Sequence, residues 1–172
     1  MRVFVAVRVN PRAKITELLK KLSGFDGVKA VEPENLHINL KFLGEVSDSE
    51  VEKIKDVIKV VRGFGYFTLQ LKEVKAFPSN SRINVLWIGA HSDKLVRLME
   101  LIDTELNKLG FGREREYKPH VTLARVKKKI PEIGSFLGAY DFGTLDVKEI
   151  ELIKSELGKD GPRYETIAKV EL

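Results

Sequence analysis

Residues 36–44, LHINLKFLG, and residues 119–126, PHVTLARV, decide how the chain folds. Side chains along a strand alternate between its two faces, so His37, Asn39 and Lys41 are expected on one side and Ile38, Leu40 and Phe42 on the other. In the second stretch His120 and Thr122 share a face, while Val121 and Leu123 take the opposite one. The apolar faces must be core. Each strand therefore offers a histidine and, two positions later, a short hydrogen-bonding side chain. The histidines stand 83 positions apart in a chain of 172 residues. A spacing near half the chain suits two lobes related by an approximate twofold, with internal duplication as the simplest origin.

Working outward, helical and strand periods alternate. Val3 to Val9 reads as a strand, followed by a helix whose Ile15, Leu18, Leu19 and Leu22 form one stripe before Gly24 stops it. After the strand Leu36 to Leu43, Ser47 and Glu50 make a capping box for a helix with Val51, Ile54, Ile58 and Val61 inward, ended by Gly63 and Gly65. Strands are expected at Phe67 to Val74 and Ile83 to Ile88. A helix from about Ser92 would bury Leu95, Leu98, Ile102, Leu106 and Leu109, with Gly110 as its C-terminal cap. Then come a strand at Val121 to Val126, a short helix begun by Pro131, and strands at Leu145 to Ile153 and Tyr164 to Val170. No linker or tandem repeat interrupts this order, so residues 1–172 are expected to form a single α+β domain with largely antiparallel sheet.

Composition narrows the function. With 43% apolar residues the chain can bury an ordinary core,. The absence of cysteine excludes disulfides, thiolate metal sites and a cysteine nucleophile,. No apolar run approaches membrane-spanning length, and the opening MRVFVAVRVN lacks a signal-type cleavage site, so a cytoplasmic protein without membrane association is expected. Abundant Lys and Glu without Cys fit a thermophilic source. The net charge of +5 suits a polyanionic partner,. Arg113, Arg115, Lys118, Arg125 and Lys127 to Lys129 cluster around the second histidine, and as a group they favour an anionic ligand.

A pair of histidines fits phosphoryl transfer without a metal. Imidazole titrates near pH 6.5, so near neutrality one ring can accept a proton while the other donates one. Set on opposite sides of a phosphorus, one would activate water and the other would protonate the departing oxygen. Asn39 and Thr122 could donate to the non-bridging oxygens. A single histidine on a strand is more often structural than catalytic; two matched copies at half-chain spacing reverse that expectation. His91, before Ser92 and Asp93, has no such partner and reads as a surface residue. A three-histidine metal site is disfavoured because the spacings match no helical ligand pair and no acidic residue adjoins either motif.

At these residues the chain resembles the 2H phosphoesterase superfamily, and within it the RNA 2′,3′-cyclic phosphodiesterases formerly called 2′-5′ RNA ligases. The likeness spans RVFVAVRV, LHINLKFLGEV, FPSNSRINVLWIGA, YKPHVTLARV and KSELGKDGPRYETI, nearly the whole chain. It implies a bilobal LigT-like fold, with two largely antiparallel sheets flanked by helices around a central cleft. His37 and His120 would face each other across it, His37 as proton donor and His120 as proton acceptor, with phosphate donors at Asn39 and Thr122. The first motif carries Asn where the family usually has Thr; an amide still donates, but reaches further.

The implied partner is RNA with a 2′,3′-cyclic phosphate end, tRNA fragments among the candidates, acted on by a monomer with no cofactor. Arg125 and Arg82 are further candidates to approach a phosphate or stack on a base, and Tyr117, Phe77 and Tyr164 to stack on one. Without a Walker-type glycine loop, no nucleotide requirement is expected. Two alternatives stay open: an RNA ligase or tRNA-processing factor using the same ends, and a non-catalytic module that binds RNA ends.

Overall fold

A computed structural model describes residues 1–172. The chain runs through β1 (Arg2–Arg8), α1 (Ala13–Leu22), β2 (Val28–Ala30), β3 (His37–Glu45), α2 (Asp48–Ile58), β4 (Phe67–Ser79) and β5 (Arg82–His91). It continues through α3 (Asp93–Asn107), β6 (His120–Val126), β7 (Gly138–Val147), β8 (Glu149–Gly158) and β9 (Gly161–Glu171). Short 3-10 turns occupy Pro33–Asn35, Lys59–Val61 and Pro131–Phe136. The architecture is α+β, a curled antiparallel sheet flanked by helices.

Every strand pairing is antiparallel. The strands run in the order β7-β4-β5-β6-β3-β1-β8-β9, with β2 attached to β6. Two separate sheets were the expectation; one continuous sheet is found. Its halves meet where the two motif strands β3 and β6 touch, through a single residue pair, Ile38 and Val121. Both side chains are fully buried, so the junction is part of the core. That core is one cluster of 42 buried apolar residues drawn from both halves, such as Val3 and Leu40 on one side and Leu86 and Leu123 on the other. Burial of each large side chain stabilises by about 1.5–3 kcal/mol, so neither half-sheet is independent of the other.

Helix positions follow the stripes read from the sequence. Ile15, Leu18, Leu19 and Leu22 are buried on α1, and Val51, Ile54 and Ile58 on α2. The capping box of α2 is present: Glu50 N donates to Ser47 Oγ at 3.2 Å, and Ser47 N donates to Glu50 Oε2 at 2.7 Å. Ser92 caps α3, accepting from Leu95 N at 3.3 Å. Leu109, expected inward, is exposed because α3 ends at Asn107 and the chain turns away at Gly110, whose φ is +99°.

Two strand expectations require correction. The run Leu145 to Ile153 is two strands, broken at Lys148: β7 pairs with β4 in one half of the sheet, and β8 pairs with β1 in the other. The apolar alternation passes through the break without a Gly or Pro, which is why the crossing is silent in sequence. Along β3 the alternation fails after Asn39. Ala6 lies opposite Asn39 and Val5 opposite Lys41, so Leu40 is an extra residue on the β3 side, a bulge,. An extra residue exchanges the faces of everything after it. Lys41, expected beside the histidine, is instead buried, and Phe42, expected in the core, is 53% exposed.

Candidate functional site

The junction of the half-sheets also arranges the motif side chains. With Ile38 opposite Val121 in an antiparallel pair, the register sets His37 across from Thr122 and Asn39 across from His120,. Ile38 and Val121 point into the core, so these four side chains share the face turned away from it. The histidines occupy one diagonal of a quadrilateral, and Asn39 and Thr122 the other.

Each ring is held by the main chain two residues before it. His37 Nδ1 lies 2.8 Å from Asn35 O, and His120 Nδ1 lies 2.6 Å from Lys118 O. A carbonyl only accepts, so Nδ1–H is the donor in both cases, and a neutral ring then carries its free lone pair on Nε2. The rings are also walled by aromatic groups. His37 packs against Phe4 and Tyr164, with centroids 5.0 Å and 5.4 Å away. His120 packs against Phe77 at 5.2 Å and Trp87 at 5.6 Å, and those two rings stack on each other at 4.7 Å.

Burial pushes the pKa of both histidines below the ordinary value, and the carbonyl acceptors only partly oppose it. For His37 the positive charges of Arg8 and of a protonated His120 push further in the same direction. The effect of a charged His120 on His37 sets the two rings within electrostatic range of each other. Two imidazoles that titrate below their usual range, one of them harder to protonate while the other is charged, hold one proton between them on the acid side of neutrality,.

Cations border this face. Arg8 lies opposite His37 in the β1–β3 register, its guanidinium 5.8 Å above the Tyr164 ring and 3.7 Å from Glu151. Arg125 is exposed on β6 opposite Lys29 of β2. Burial raises the Tyr164 pKa, and the charges of Arg125 and Arg8 oppose that rise, so both guanidinium groups lie near this phenol. A groove of about 740 Å³ runs from beside His120, walled by Phe77, Trp87, Lys75, Lys118 and His91.

The remaining candidates divide. Phe77 and Tyr164 lie against the histidines. Tyr117 does not: its hydroxyl donates to the buried Asp103 at 2.7 Å. Arg82 sits exposed on the β4–β5 hairpin, where its N–H donates to Ser79 Oγ. His91 is 43% exposed and its Nε2 pairs with Glu73 Oε1 at 2.8 Å. A Cβ on Gly89 would come within 2.5 Å of that Glu73 oxygen and 2.7 Å of His91 Nε2, so a side chain there would displace the pair. Lys128 pairs with Asp26 at 2.7 Å. No group of three or more His, Cys, Asp or Glu side chains converges as a metal-holding set.

Arg8, Phe4 and Trp87 were not singled out from sequence. Phe4 and Arg8 carry a weak signal, because alternation in VFVAVRV sets Phe4, Ala6 and Arg8 on one face. Assigning that face to the histidines needed the pairing of β1 with β3.

A family model described as LigT like Phosphoesterase matches residues 5–87 and again residues 88–164. The RNA 2′,3′-cyclic phosphodiesterase of Archaeoglobus fulgidus is 42% identical, over 97% of this chain and 98% of its own. That of Methanocaldococcus jannaschii is 40% identical, over 97% and 98%. A crystal structure from Thermus thermophilus superposes with a TM-score of 0.88 at 30% identity, covering 100% of this chain and 98% of the other. The apo structure of Escherichia coli LigT gives 0.77 at 25% identity, covering 99% and 96%. No helix is long and apolar enough to cross a membrane.

Proposed function

The chain belongs to the LigT-like phosphoesterase family, and on that premise we propose that it opens the 2′,3′-cyclic phosphate ends of RNA by hydrolysis, leaving a 2′-phosphate. The observation that carries this reading is the matched pair of imidazoles, each with Nδ1–H bound to a carbonyl and Nε2 left to exchange a proton. His120 acts as the base that takes a proton from water as water attacks phosphorus. His37 acts as the acid that protonates the 3′ oxygen as its bond to phosphorus breaks. This division of roles is the one the family resemblance implies; Arg8 lowers the pKa of His37, which makes the ring a stronger acid once protonated and a less frequently protonated one at rest. Asn39 and Thr122, on the other diagonal, donate to the non-bridging oxygens, where charge builds in the transition state. Arg125 and Arg8 attract the phosphate chain.

The two halves of the sheet act as pseudo-symmetric lobes of one domain around a central cleft, each supplying one histidine. One chain completes the site, so the active species is a monomer, and a cytoplasmic location suits an RNA substrate. Turnover of an oligonucleotide ending in 2′,3′-cyclic phosphate, with a chelator present and no added nucleotide, tests the assignment. Appearance of a 2′-phosphate end supports it. Binding without turnover would leave only an RNA-end module.

The groove beside His120 favours a second, weaker activity. Its walls Phe77 and Trp87 pack against the ring read as the base, so the 5′-hydroxyl of another RNA held there could replace water and give a 2′-5′ linkage. Water needs no ordering, so the hydroxyl competes only when base-paired halves, such as those of a cut tRNA, hold it at high effective molarity. Joining that strictly required ATP or GTP, or that survived loss of either histidine, would overturn the mechanism.

A further inference from the structure

Lys41 belongs to the first motif strand, yet the bulge at Leu40 turns it away from the phosphate face and into the protein. Its ammonium donates to Asp103 Oδ1 at 2.7 Å, to Glu114 Oε1 at 3.1 Å and to the carbonyl of Gly112. Asp103, on α3, is fully buried. Its carboxylate also accepts from Arg113 Nε at 3.1 Å, Glu114 N at 3.1 Å and Tyr117 Oη at 2.7 Å. Apart from Lys41, every donor to Asp103 comes from one stretch of chain, residues 112–118, between α3 and β6. That stretch is neither helix nor strand, and its last carbonyl, Lys118 O, is the acceptor for His120 Nδ1.

We propose that Lys41 and Asp103 are positioning residues for His120, fixing segment 112–118 so that the Lys118 carbonyl holds the ring with Nε2 free. The proposal rests on the reading of His120 as the base. Removing two charges from water is costly, and an apolar pair of the same volume often stabilises a core as well or better. Fold stability alone does not call for an ion pair at this place. The bonds supply direction instead: the ammonium and the carboxylate together fix a main-chain carbonyl, a main-chain N–H and three side chains of the same segment. His37 provides an internal contrast. Its acceptor, Asn35 O, belongs to a 3-10 turn held by Asn35 N to Glu32 O at 2.8 Å and by bonds from Arg8 to Glu34 O at 3.4 Å and from Asn35 Nδ2 to Pro162 O at 3.5 Å, none of which involves Lys41 or Asp103. The first motif strand thus carries its own histidine and also steadies that of the second.

The tether is tested with Lys41→Met and, as a milder variant, Tyr117→Phe, which removes one donor to Asp103 and leaves the ion pair in place. Ring-nitrogen NMR reports the tautomer of each histidine, and steady-state kinetics are read on a cyclic mononucleotide. In Lys41→Met, His120 should pass from a single Nδ1–H tautomer to a mixture while His37 stays unchanged. There kcat should fall about 10- to 10²-fold with KM within about twofold, the signature of a misplaced reacting group. Tyr117→Phe should move both readouts less, in the same direction. A folded Lys41→Met protein with the parent tautomer and kcat overturns the proposal, as does equal disturbance of His37. If Lys41→Met does not fold, Tyr117→Phe decides, and parent values there overturn it. A His120→Ala enzyme with full turnover would instead sink the catalytic reading, and the tautomer measurement would still report on the tether.

Discussion

Replacing Asp103 by Asn should destabilise the protein by about 3–5 kcal/mol at neutral pH, the usual consequence of removing one partner of a buried ion pair and leaving the other charged. Part of that cost must depend on pH. The four donors hold the Asp103 carboxyl at about 2, against an ordinary value of 3.8, although burial alone would raise it. Because the folded-state pKa is depressed, the group contributes stability that is present above the unfolded value and lost as pH falls through the folded one. The gap is nearly two pH units, and at 1.36 kcal/mol each it is worth roughly 2 kcal/mol. Urea denaturation of parent and Asp103→Asn at pH 5, 4, 3 and 2 measures it. The difference between the proteins should be nearly constant from pH 5 to pH 4 and then shrink by about 2 kcal/mol on reaching pH 2. A difference independent of pH over that range, or below about 1 kcal/mol at pH 5, would refute the account of Asp103 as a carboxylate stabilised by its donors.

His37→Ala and His120→Ala should each lower kcat for a cyclic-phosphate substrate by at least about 10²-fold with the fold intact, whereas His91→Ala should change it little; circular dichroism alongside kinetics separates loss of chemistry from loss of structure. Since burial lowers the pKa of both motif histidines, the kcat/KM profile of the free enzyme should be bell-shaped and centred below about pH 6.5,. A profile with both limbs above neutrality would contradict the burial argument. Neutralising Lys127, Lys128 and Lys129 together should weaken RNA binding and flatten its dependence on salt, while hydrolysis of a cyclic mononucleotide stays at the parent rate. An unchanged salt slope would mean that the RNA chain lies elsewhere.

The histidine pair was legible because its geometry is local. Alternation over three residues is enough to put His37 with Asn39, and His120 with Thr122, on one face opposite Ile38 and Val121. The helix stripes were legible for the same reason. What escaped depends on contacts distant in sequence. The bulge at Leu40 exists only relative to β1, so Lys41 read as a companion of His37. Asp103 is a charge on an amphipathic helix, a position that reads as solvent-facing until Lys41, Arg113 and Tyr117 surround it. The two-sheet expectation failed at one residue pair, and the crossing at Lys148 leaves no trace in an unbroken apolar pattern.

That one pair, Ile38 with Val121, has a mechanical meaning. It is the sole rung between the motif strands, so a rocking of the two wings of the sheet against each other would hinge on it. Displacement in a rocking body grows with distance from the pivot. The histidines sit one residue from it, and the far strands β7 and β9 sit at the ends of the levers. Any such motion would displace the rims, where an RNA chain must enter, more than the gap between the two imidazoles. The two imidazoles lie beside the point that a lever of this shape would move least.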